Sequence, residues 1–289
     1  MRIALLAFIT GASLLTGCAA NLKSVRDFAD ETKKISVAFD PLLAATVEQC
    51  KRKVETKLLY AGGPVRSFKP EEMTRTADDT CRSIAEANAT AKKIDVVLFD
   101  YADKLSALAG DGVASSVDDD YDALSKKLAD FKEIPKEKLT AVSALVKFLT
   151  KTAIAQAQKQ AVAEALDHEE AVGVLGDALV LYTRRVYGGY LVDRKREIGT
   201  YSESIRDAII AAPPLLAKLQ LIELHKESLA ITEQEKVIPS LEKSVAQMKA
   251  SLKDLRKNLD RLSDKERRQE VEKLAKEVKA LYQQLDKAF

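Results

Sequence analysis

From residue 241 to 262 the apolar side chains Leu241, Val245, Met248, Leu252, Leu255, Leu259 and Leu262 follow one another in alternating steps of four and three. A 3.5-residue repeat keeps one stripe of an α-helix apolar over its whole length, and it gives a β-strand no consistent face. The rhythm returns at Val271, Leu274, Val278, Leu281 and Leu285, after Ser263-Asp264-Lys265-Glu266, whose Ser and Glu have the spacing of a capping box. Lys, Arg, Glu and Asp fill the positions between. Residues 213–289 are therefore expected to form a coiled-coil-like helical segment, as a hairpin or as a long amphipathic arm.

Helical spacing also runs through the rest of the chain. Val25, Phe28, Ile35 and Phe39, then Leu43, Val47, Cys50, Val54 and Leu58, recur at helical intervals. Asp40-Pro41 falls between them as a cap and first-turn proline, predicting a kink or two abutting helices. A third run opens at Pro70-Glu71-Glu72, with acid in its first turn, and carries Ala77, Ile84, Ala91, Leu98 and Leu105 beside Ala87, Ile94, Tyr101 and Leu108. From residue 70 to 109 such a helix is about 60 Å long.

Gly110 and Gly112 end that run. Ser115 to Asp120 then read as a cap and acidic first turn, because the three contiguous Asp residues lack the alternating ligands and internal Gly of a calcium loop. A short helix is expected to end near Ile134-Pro135, and an Ala-rich one to run from 136 to 166. Asp167 is the expected cap of the next helix, which carries Val172, Leu175, Leu179 and Leu181 and bends at Gly188-Gly189 before Pro213-Pro214. With 46% hydrophobic and 31% charged residues but only 11 Gly and 7 Pro, the chain is expected to be folded and helix-rich. The predicted class is all-α, an elongated bundle of long antiparallel helices with coiled-coil-like hairpins, divided into a bundle at 18–212 and the segment 213–289.

The N-terminus carries a different message. Arg2 precedes an apolar stretch from Ile3 to Leu15, which has the length of a secretory signal and is shorter than the ~20 residues that span a bilayer. Leu15-Thr16-Gly17-Cys18 resembles the lipobox of bacterial lipoproteins. The resemblance covers only this targeting segment and implies that residues 1–17 are removed and that Cys18 becomes a lipidated N-terminus. Two or more acyl chains give stable membrane anchoring. Ala19, in place of an Asp that would favour inner-membrane retention, implies the periplasmic face of the outer membrane.

With Cys18 assigned to lipid, Cys50 and Cys81 remain as an even pair in an oxidising compartment. They lie on either side of the turn-rich segment Tyr60 to Ser67, each roughly 17 Å from it along its helix. An antiparallel hairpin sets them side by side, so a disulfide is expected, with two buried thiols as the alternative.

Candidate chemistry is sparse. The two histidines, His168 and His225, severely bound acid-base and metal chemistry, and His168-Glu169-Glu170 lacks the second histidine of the zinc-protease motif, so His168 is read as a helix-surface residue. Ser240-Leu241-Glu242-Lys243 has the Ser-x-x-Lys spacing without its partner motifs. No catalytic residue, metal or cofactor is expected. A net charge of +2 from 46 basic and 44 acidic residues argues against nucleic acid.

The unusual stretch lies between Leu181 and Tyr201. Tyr182, Arg184, Arg185, Tyr187, Tyr190 and Arg194, with Lys195, Arg196 and Tyr201, could bind an anionic or glycan ligand, since Tyr faces stack on sugars and Arg pairs with carboxylates or phosphates. They could equally form a half-buried Tyr stripe with solvated bases. Three functions follow from these readings: a non-catalytic envelope scaffold or protein-interaction module, a binding module at the Gly-Gly bend, or a lipid-anchored inhibitor or immunity protein.

Overall fold

The computed structural model describes residues 16–60, 69–110, 134–150, 158–208, 214–259 and 264–289. Among them the regular structure is entirely helical, so the protein is all-α. The helices are α1 (Thr16–Tyr60), α2 (Pro70–Ala109), α3 (Leu139–Thr150), α4 (Gln158–Leu166), α5 (Glu169–Arg185), α6 (Tyr187–Ala208), α7 (Pro214–Glu235), α8 (Val237–Asn258) and α9 (Asp264–Ala288). A 3-10 turn at Lys136–Lys138, set by Pro135, leads into α3.

The 45-residue α1 and the 40-residue α2 lie antiparallel. Their register is written in side-chain pairs: Asp30 with Ser106, Lys33 with Asp103, Ser36 with Asp95, Asp40 with Lys92, the Leu43 carbonyl with Asn88, and Lys51 with Asp78. Near the far end, Cys50 and Cys81 are joined by a disulfide with their Cα atoms 6.0 Å apart. The seam expected on α2 is the packed one. Ala91, Ile94, Leu98, Tyr101 and Leu105 are buried in one core with Ile35, Phe39, Leu42 and their neighbours, and Ala77 is buried nearer the start of α2.

α8 and α9 form the coiled-coil-like hairpin. Leu241, Val245, Met248, Leu252, Leu255, Val271, Leu274, Val278, Leu281 and Leu285 are all buried. Small residues let the two helices approach, and Ser251 Oγ donates to the Glu270 carbonyl across the gap at 3.2 Å. The fully buried Arg267 donates to the carbonyls of Leu259 and Asn258 at 2.9 and 3.4 Å, satisfying acceptors that a helix end leaves open. The hairpin also packs on α1, where Tyr282 Oη donates to the Lys34 carbonyl, and on α5, where Arg184 meets Glu242 and Arg256 meets Asp167 and Glu169. Its seam is filled from within this chain.

Three local expectations are corrected. Of the two readings of Pro41, the two abutting helices fall: α1 is a single helix with Pro41 inside it, and Asp40 pairs with Lys92 instead of capping a helix. Proline removes one N–H, but Ala38, Phe39, Leu42 and Leu43 are buried on both sides of it, so tertiary packing holds the helix together. Asp167 does not cap α5: His168 occupies that position without a side-chain capping bond, and Asp167 is paired with Arg256 at 3.0 Å. The interruption between α5 and α6 falls at Val186, ahead of Gly188-Gly189, and its N–H still reaches the Tyr182 carbonyl at 2.8 Å.

The expected cap at Ser115 to Asp120, the short helix before Ile134 and the capping serine Ser263 lie outside the described residues. So do residues 151–157 of the expected Ala-rich helix, within whose expected span the described helices are α3 and α4.

α3 ends on α2. Lys104, buried on α2, donates to the Phe148 and Leu149 carbonyls at 2.7 and 3.0 Å and lies over the Phe148 ring. This places a cation at a helix C-terminus, where the macrodipole favours it.

Replacing Cys50 and Cys81 with Ser opens a 31-residue separation, and chain-entropy reasoning sets the expected loss at about 3 to 4 kcal/mol in urea unfolding. Gly176 and Gly189 give a second, internal comparison. A Cβ on Gly176 would meet Val245 Cγ1 at 2.9 Å and Met248 Cε at 3.2 Å, whereas one on Gly189 meets nothing within 4 Å. Gly176→Ala is therefore expected to lose about 1 to 3 kcal/mol by overpacking, and Gly189→Ala to gain up to about 1 kcal/mol of helix propensity.

Candidate functional site

The Tyr/Arg stretch spans the end of α5 and the first turns of α6, so its side chains radiate around two consecutive helices. Tyr182 is buried, and its Oη donates at 2.7 Å to Asn88 Oδ1, whose amide reaches the Leu43 carbonyl. Tyr187 is fully buried with its ring 6.4 Å from that of Phe289, and burial pushes its phenol well above the usual range. Tyr190 faces Lys53 of α1, which also pairs with Asp193.

The basic members point elsewhere. Arg194 is buried and binds Glu227 of α7 through two nitrogens at 2.7 and 2.8 Å, with Glu197 at 3.4 Å. Arg184 lies on Glu242, Lys195 on Glu235 and Arg196 by Asp193. These residues tie α6 to α1 and α7 and tie α5 to α8; they do not converge on one cavity. A bidentate Arg–carboxylate pair is geometrically specific, which explains why an arginine occupies position 194.

Two clefts flank α1. One, about 270 Å³, lies against α9 and is lined by Asp27, Asp30, Glu31, Lys34, Arg268 and Glu272 among others. The other, about 230 Å³, lies over the α1–α2 seam, with Val37, Val96 and Phe99 as apolar walls and Asp95 on its floor. Asp95 Oδ1 accepts from Ser36 Oγ at 2.5 Å and Oδ2 from Lys92 Nζ at 3.1 Å. Lys92 is shared with Asp40, and removal from water pushes the Asp95 carboxyl up to about 6. Sequence reading missed this group because the heptad frame marks position 95 only as a residue beside Ile94.

Among the described residues the most exposed apolar surface belongs to α7. Ala217, Leu224 and Ile231 face the bundle, yet Leu215, Leu216, Leu219, Ile222 and Leu229 are open, Leu215 at 68% and Ile222 at 50% of their full accessible area. Leu215, Leu219, Ile222, Lys226 and Leu229 are spaced four, three, four and three apart. This is a second seam, turned outward, which sequence analysis passed over inside a helix apolar on two sides.

Among the described residues no group of three or more His, Cys, Asp or Glu side chains is arranged to hold a metal ion, and no helix is long and apolar enough to cross a membrane. The Cys50–Cys81 bridge fits an oxidising compartment. No protein-family model matches the chain, and comparison with curated proteins and with solved structures gave no match.

Asp95 sets a pH dependence whose sign is fixed. Its carboxyl titrates near 6 when folded and near 3.8 when not, so between those values the folded state holds the extra proton and stability rises as pH falls from 7 to 4. Two pKa units correspond to about 3 kcal/mol. The Asp95→Asn variant is expected to lose this slope and to be more stable than the parent at pH 7 by about 2 kcal/mol, converging with it at pH 4, as followed by urea unfolding across that range.

Proposed function

We propose that this chain is a lipid-anchored, non-catalytic envelope protein that works as a helical interaction module on the periplasmic face of the outer membrane. The N-terminal segment supports the anchoring half of this reading: a charged start, a short apolar run and Leu15-Thr16-Gly17-Cys18 resemble a lipoprotein signal. The disulfide agrees with export.

The interaction half rests on one observation, the outward seam of α7. The strongest heptad run, on α8 and α9, is filled within the chain and offers nothing to a partner. Leu215, Leu219, Ile222 and Leu229 keep the same spacing and are uncovered among the described residues, and apolar side chains held in such a row lose free energy of about 25 cal/mol per Å² when covered. Ligand binding at the Tyr/Arg stretch has less support, because Tyr182, Tyr187 and Arg194 are spent on contacts between helices.

Two measurements test the halves separately. Metabolic labelling with an alkyne fatty acid is expected to mark the full chain and to leave Cys18→Ser unmarked; labelling that survives this substitution removes the anchor. A photo-crosslinker at position 219 in intact cells is expected to give a defined protein adduct that Ile222→Lys abolishes. Absence of an adduct from 215, 219, 222 and 229 alike would remove the interaction module.

A further inference from the structure

We propose that the outward seam of α7 pairs with the same seam on a second copy of this chain, in parallel, as a short two-stranded coiled coil. The inference names the partner of the interaction module above and rests on that reading.

Registering the exposed stripe as a heptad puts Leu215, Ile222 and Leu229 at d positions and Leu219, Lys226 and Glu233 at a positions. Three d-position side chains and Leu219 are apolar and open, filling four of the six seam positions between 215 and 233, about two heptads of knobs and holes. A lysine at a, in the place of Lys226, is tolerated in a dimer because its stem packs while its ammonium reaches the rim; in higher assemblies that position is enclosed.

Charge then selects the orientation. Lys218 takes the g position before Leu219, and Glu223 the e position after Ile222; both are exposed. In a parallel pair each g residue faces the e residue five places later on the other helix, so Lys218 meets Glu223 of the second copy, twice by symmetry. In an antiparallel pair g faces g, so Lys218 faces the g flank of the other chain and loses the Glu223 partner that the parallel pair gives it. Glu223 is also paired with Lys226 on its own helix at 2.7 Å, so the same carboxylate can bridge its own Lys226 and the incoming Lys218.

The fold adds an independent constraint. The chain from Tyr182 at the end of α5 to Asp193 in α6 runs in the direction of α1, with Tyr182 linked through Asn88 to Leu43 and Asp193 on Lys53, and α7 returns antiparallel to α6, as Gly188 beside Ile238 just past the end of α7 and Arg194 on Glu227 show. A two-fold axis along α7 therefore leaves the N-terminal ends of both α1 helices on the same side, where two chains anchored through Cys18 in one leaflet must have them. So short a seam is weak in dilute solution, and confinement to a membrane raises the effective concentration of the second copy.

The test uses the full chain in its own membranes. Ile222→Cys, treated with a short bismaleimide, is expected to give a covalent dimer of the same chain, as are Leu215→Cys and Leu229→Cys, each with itself. Lys218→Glu should lower the Ile222→Cys dimer yield at least fivefold, and adding Glu223→Lys should restore it; neither exposed substitution touches the core. Three results would overturn the proposal: no self-dimer at 222, a link between 215 of one chain and 229 of another, or failure of the double charge reversal to restore the yield. A crosslink only to a different protein would also overturn it while leaving the interaction module standing, and fatty-acid labelling at Cys18 reports on the anchor whichever way the dimer falls.

Discussion

The antiparallel pairing of α1 with α2 is the contact on which the other helices are laid. α1 also touches α5, α6, α8 and α9, so an error in its register would be carried into every layer. Apolar heptads alone fix that register poorly, since a slip of seven residues replaces one apolar layer by another. The polar rungs remove the degeneracy. Ser36 with Asp95, Asn88 with the Leu43 carbonyl and the Cys50–Cys81 bridge each have a partner at one register only. A buried polar atom without its partner is destabilising by about 1 to 3 kcal/mol, so these rungs act mainly by penalising the slipped alternatives.

The polar groups inside the bundle are of two kinds. Lys104 and Arg267 are long cations whose heads end on helix carbonyls, closing the ends of α3 and α8 that would otherwise need water. Asp95 is the opposite case, an acid that must share one ammonium with Asp40 while being almost withdrawn from solvent. The first kind stabilises by satisfying acceptors. The second is a local liability, retained within the same α1–α2 seam whose register it helps to define.

Much of this architecture was readable from spacing. The seams on α2, α8 and α9 are where the heptads put them, and the Cys50–Cys81 bridge follows from two helical distances to one turn. What spacing could not supply was the far side of each contact. A stripe filled by the same chain and one left open have the same pattern, and only tertiary packing separates 241–259 from 215–229. Pro41 and Asp167 misled for a related reason. Their local preferences are for breaking and for capping, and each was overridden by burial or by an ion pair formed with residues distant in sequence. The Tyr/Arg stretch was noticed for its composition, but composition does not reveal direction, and α5 and α6 turn its members toward different neighbours.

α7 shows why an outward seam is easily overlooked. Its apolar residues lie on opposite sides of the helix, so their periodic signal largely cancels and the helix reads as merely hydrophobic. A helix apolar on opposite sides is at home inside a protein, with packing on both, yet α7 has packing on one. Arg194 and Lys195 of α6 hold it through Glu227 and Glu235, so it cannot rotate its open side inward without breaking a bidentate pair. The ion pairs that fasten α7 to the bundle are therefore also what keeps Leu215, Leu219, Ile222 and Leu229 presented outward.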